Sequence, residues 1–119
     1  MGTAPKAVPA GVYWDAVRAP AGLGREAVRW LGEACGAVIG DPRGGVLYWL
    51  VATGGGGADW AALPASAEVR HLSVACWVTV PGAARFAPPG PYWAVPYDSE
   101  HRLTDAELLR SALGAAVSA

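Results

Sequence analysis

The stretch Ala37-Val38-Ile39-Gly40-Asp41-Pro42-Arg43-Gly44-Gly45-Val46-Leu47-Tyr48-Trp49-Leu50-Val51 decides the fold. Two apolar, β-prone runs flank five residues of turn chemistry. Pro42 fixes one φ angle, and Gly44 and Gly45 accept positive ones. Ala37–Ile39 and Val46–Ala52 are therefore expected as the arms of a hairpin. The second arm is apolar almost without interruption, which predicts a strand buried on both faces.

Working outward toward the N-terminus, Val12–Arg18 reads as a first strand that ends before Pro20. Leu23–Cys35 follows as a helix. Leu23, Ala27, Trp30, Leu31 and Ala34 share one face at helical spacing, and Gly36 supplies the stop. Residues 1–11, small and rich in proline, are expected as a flexible arm ahead of a single domain spanning 12–119. Toward the C-terminus, Gly54–Gly57 is a loop, and Val69–Leu72 and Ala75–Val80 are two more strands. The segment Pro88-Pro89-Gly90-Pro91 is stiff and extended. Tyr92–Val95 is the last strand. Thr104 and Glu107 have the spacing of a capping box, with Leu103 and Leu108 as its hydrophobic staple. Leu109, Leu113, Ala116 and Val117 give the helix that follows a core-facing stripe. The order predicts an α+β fold: a mostly antiparallel sheet of about five short strands packed with two helices.

The chain has 119 residues, enough for one domain, and 53% of them are hydrophobic, ample for a core. Charged residues make up only 16%, and the net charge is −1. No basic excess draws the whole domain onto a phosphate backbone. No apolar run reaches the roughly 18 residues needed to span a bilayer, so a cytoplasmic, soluble protein is expected. Cys35 and Cys76 each sit in apolar sequence and read as buried thiols. No CxxC or HxxxH spacing marks a metal site, and no cofactor motif is present.

Catalytic signatures are missing. Gly54–Gly57 lacks the Lys-Ser/Thr of a phosphate loop, and Asp59 would repel a phosphate. The polar run Asp98-Ser99-Glu100-His101-Arg102 could pair His101 with Asp98 or Glu100, yet it leads straight into a helix and reads as a solvated connector. No catalytic residue is assigned, and the chain is not expected to be an enzyme. The rings carry more information. Tyr48 and Trp49 are strand neighbours, as are Tyr92 and Trp93, and strand neighbours point to opposite faces. Neither pair can bury both rings in one core. These four residues, with Arg43 and Arg70, are the candidate binding residues.

Cys35 to Pro96 resembles part of the N-terminal catalytic domain of bifunctional DNA primase-polymerases. The shared elements are Gly36-Ala-Val-Ile39, Val46 to Val51, Leu63-Pro64, Val69-Arg70 and Trp77-Val-Thr-Val-Pro81. The chain is also similar to small actinobacterial proteins that carry Leu-Tyr-Trp-Leu-Val and Trp-Ala-Val-Pro segments. The primase-polymerase resemblance implies paired acids for two metals at the end of the strand matching Val46–Val51. It also implies a His ahead of the strand that Trp77 opens. Here the first strand has no carboxylate, and Ala75-Cys76 stands in place of the His. What the resemblance implies is therefore a shortened, catalytically degenerate form, since two-metal phosphoryl transfer needs its ligands.

The expected function is a non-catalytic protein-interaction or regulatory module, with a protein partner or a second copy of itself in a homodimer. The alternative is binding of a nucleotide or single-stranded nucleic acid, with Arg43, Arg70, Trp77 and Trp93 supplying charge and stacking platforms. Such binding would be weak, because few arginines can share one surface.

Overall fold

The computed structural model describes residues 4–98 and 102–118. Its strands are β1 (Lys6–Pro9), β2 (Asp15–Pro20), β3 (Val38–Asp41), β4 (Val46–Val51), β5 (Arg70–Leu72), β6 (Trp77–Val80) and β7 (Tyr92–Val95). Its helices are α1 (Ala21–Leu31) and α2 (Ala106–Ser118). Five strands form an antiparallel sheet in the order β5-β2-β4-β3-β7, and β1 and β6 pair as a second, two-stranded sheet. The fold is α+β. Among the described residues, no helix is long and apolar enough to cross a membrane.

The hairpin forms as its turn chemistry dictates. Asp41 Oδ1 accepts the backbone N–H groups of Arg43 and Gly44 at 3.1 and 3.2 Å, and Gly45 takes a φ of +65°. Antiparallel pairing of β3 with β4 follows, from Asp41 opposite Val46 to Val38 opposite Trp49. β4 lies at the centre of the larger sheet, so both of its edges are paired; Leu47 and Trp49–Val51 are buried, while Val46 and Tyr48 are partly exposed. Leu47, Trp49 and Val51 meet α1 and α2, while Leu50 meets the smaller sheet.

Four expectations change. Lys6–Pro9 belongs to a strand rather than to a loose arm: it pairs with β6 from Lys6–Val80 to Pro9–Trp77, and Val8 packs into the second core. The core stripe of α1 is narrower than the spacing suggested. The helix approaches the sheet on Gly24, Ala27 and Leu31, leaving Trp30 more than half exposed. It also stops early, at Gly32, whose φ of +56° a side chain would resist. Finally, Asp105 caps α2, its Oδ1 accepting the Leu108 N–H at 3.0 Å. Thr104 is buried and faces inward, its Oγ1 accepting the Gly36 N–H at 2.8 Å while its own N–H donates to Leu50 O. The capping box and staple are therefore not formed, and Leu103 and Leu108 are exposed. The side chain of Thr104 joins two distant segments instead of serving its own helix.

Candidate functional site

The helices cover one face of the five-stranded sheet. The β1–β6 sheet covers only part of the other face, meeting Ala16, Ala37, Leu50 and Leu72 through Val8, Val78 and Val80. Strand register then places a row of side chains across that face, running from its open part to the edge of the second core. Arg70 stands opposite Arg18, Arg18 opposite Tyr48, Tyr48 opposite Ile39 and Ile39 opposite Trp93. Facing residues in a ladder project to the same side; Arg70, Arg18, Tyr48 and Ile39 line a groove, while Trp93 at the end of the row is buried in the second core.

Two hollows make up the groove, about 630 Å³ and 310 Å³ in volume, sharing Asp41 and Tyr48. The larger runs from Tyr48 to Trp77, with Arg43 and the Pro89-Gly90-Pro91 segment on its rim. The smaller holds Arg18, Arg70 and Glu68. Three guanidinium groups thus meet two carboxylates. Among the described residues, none of the three arginines makes a side-chain ion pair. Asp41 is already engaged by the amides of its own turn. Like charges directly opposed across a ladder are unfavourable, so the Arg18–Arg70 arrangement does not serve the fold. Free guanidiniums offer a forked donor that matches carboxylate and phosphate oxygens. Tyr48 and Trp77, the latter largely exposed, supply ring faces in the same groove.

The structure divides the binding residues expected from sequence. Tyr48, Arg43 and Arg70 come together in the groove. Trp49 has 0% of its surface exposed, under the helices, and cannot meet a ligand. Tyr92 also leaves the groove, because it pairs with Gly40 and its ring lies in the space a Cβ there would fill. Trp93 projects to the same side of the sheet as Tyr48 but is buried in the second core, its indole N–H donating to Gly82 O at 3.2 Å. A register shift between β3 and β7 separates Trp93 from Val95, so Trp93 joins the second core while Val95 packs against the first. Arg18 is the groove residue that sequence reasoning missed. Its signal was the alternation of β2, legible only once the register with β5 was known.

A second polar cluster lies on the helix face. Asp15, fully buried, accepts hydrogen bonds from His71 Nε2 at 2.6 Å and Ser73 Oγ at 3.0 Å. The rings of Trp60 and His71 have centroids 6.3 Å apart. Both donors go to one carboxylate, so Ser73 is not aligned on the imidazole as a nucleophile would be. The cluster ties edge strand β5 to the start of β2. Glu100 and His101 lie outside the described residues, and Asp98 is exposed. Among the described residues, no three His, Cys, Asp or Glu side chains converge as metal ligands.

The architecture is thus an α+β domain with an open sheet face lined by arginine and aromatic rings. Comparison with protein-family models, curated proteins and solved structures finds no match.

Proposed function

We propose that the chain is a binding module whose open sheet face takes an anionic ligand carrying a planar ring: a nucleotide or a short single strand of nucleic acid. The carrying observation is the unpaired Arg18–Arg70 couple beside Tyr48, in one groove with Arg43 and Trp77. Phosphate oxygens would take the forked guanidinium donors, and a base would stack on Tyr48 or Trp77. Base–aromatic stacking tolerates any sequence, so little discrimination among bases is expected. Asp41 and Glu68 temper the positive field and keep the affinity modest.

Fluorescence anisotropy with a labelled oligo(dT) strand tests this reading. Wild-type protein should bind at low salt. Exchanging Arg18 and Arg70 together for alanine should weaken binding on the order of tenfold or more, since each charged hydrogen bond contributes about 1.5–3 kcal/mol. Absence of binding by the wild type, or equal binding by the double variant, would refute it.

A further inference from the structure

Where Val8 and Val80 of the β1–β6 sheet approach Leu50 and Trp93 of the larger sheet, a series of three hollows begins. The first, about 420 Å³, has Trp14 and Trp93 in its walls and Tyr13, Phe86 and Tyr97 around its mouth. Those last three are 76%, 56% and 47% exposed and come from three separate segments, yet they converge on one opening. The second hollow, about 200 Å³, shares Val8, Val80, Pro81 and Ala83 with the first and adds Lys6. The third, about 230 Å³, shares Pro81 and Gly82 with the second and adds Arg85. Shared walls make the three a continuous trough, apolar at one end, with Lys6 in its middle and Arg85 at the other end. Among the described residues, no acidic side chain lines any part of it. Lys6 has no side-chain ion pair among the described residues, and Arg85 spends one guanidinium N–H on Pro89 O, leaving its other donors open.

We propose that this trough docks an extended segment of a protein partner, seating a proline or apolar ring in the aromatic pocket and laying acidic residues over Lys6 and Arg85. An extended occupant fits because a compact molecule would fill only one of the three joined hollows. Aromatic-lined grooves suit proline-rich segments, whose backbone is already extended before binding. The acidic complement follows from the trough's charge, which among the described residues is positive without compensation. A nucleic-acid strand fits less well. Val8, Leu50, Val80, Pro81 and Pro96 carry no side-chain hydrogen-bonding group, so among the described residues the polar edges of a base would find side-chain partners only in Tyr13, Trp14 and Tyr97.

Panning a phage-displayed library of random peptides on the full chain tests the proposal without presupposing a sequence. A Phe86→Ala/Tyr97→Ala variant serves for counter-selection. Both positions are exposed, and circular dichroism would verify that the variant folds. The expected result is enrichment of peptides with a proline or aromatic anchor next to acidic residues. By calorimetry, the dissociation constant of the best such peptide should rise about tenfold or more in the double variant, the loss carried by an interface anchor. It should rise several-fold in Lys6→Glu and stay unchanged in Arg18→Ala/Arg70→Ala. No enrichment over the counter-selected variant would overturn the proposal, as would enrichment of basic peptides. Displacement of the bound peptide by oligo(dT) would also overturn it and would assign the trough to nucleic acid.

Discussion

Arg18 and Arg70 face each other across the β2–β5 ladder, and neither guanidinium is paired with a carboxylate among the described residues. If the couple served stability, removing one member would cost some. The opposite is expected. Arg18→Ala or Arg70→Ala should leave unfolding free energy unchanged or raise it by up to about 0.5 kcal/mol, as relief of cross-strand repulsion would. Urea titration measures this. A loss above about 1 kcal/mol would mark the arginines as structural.

Thr104 and Asp105 separate two roles that adjoin in sequence. Thr104→Ala leaves the buried Gly36 N–H without its acceptor and should cost about 1–3 kcal/mol, while Thr104→Ser should restore most of it. Asp105→Ala removes the cap of α2 and should cost about 1 kcal/mol. The two sites are sequence neighbours with separate partners, so denaturation of the double variant would show whether the losses add. No loss in Thr104→Ala would contradict the inward role of its hydroxyl.

Asp15→Ala removes the acceptor shared by His71 and Ser73 and should cost about 1–3 kcal/mol. The loss should be visible locally. β5 is a three-residue edge strand, and its amides should exchange with solvent faster in the variant, with little change in β3 and β4. Unaltered exchange in β5 would show that the backbone ladder alone holds the strand.

Cys35 and Cys76 are both free thiols, but burial pushes the Cys35 thiol above its ordinary pKa, while Cys76 is only half-buried. The thiolate is the reactive form. In native protein at mildly alkaline pH, a disulfide reagent should modify Cys76 first and Cys35 only on unfolding. The raised pKa also fixes the sign of a stability term. Above the ordinary thiol pKa the unfolded chain holds fewer protons than the folded one, so this contribution declines as pH rises. Equal rates of modification at both thiols would contradict the burial of Cys35.

Local chemistry made much of the fold legible. The Asp41–Gly45 turn, the apolar run of β4 and the limits of β7 each depend on residues adjacent in sequence, and all three appear where the sequence puts them. Long-range pairing was hidden. β1 is a strand because β6 lies beside it, and nothing between Lys6 and Pro9 announces that partner. Asp15 and His71 are 56 positions apart, so their bond cannot be read from spacing. The groove was half-legible for the same reason. Tyr48, Arg43 and Arg70 stand out by residue type, whereas Arg18 gains meaning only from the ladders that place it between Arg70 and Tyr48.

The salt dependence of oligo(dT) binding is the most direct measure of the open sheet face as an anion site. Each phosphate neutralised on a single strand contributes a slope of about −0.7 in log K against log salt. If Arg18, Arg43 and Arg70 each engage one phosphate, the wild-type slope should be about −2, and Arg18→Ala/Arg70→Ala should reduce it to about −0.7. A wild-type slope near zero, or a slope that the double variant leaves unchanged, would contradict the assignment of the groove to an anionic strand.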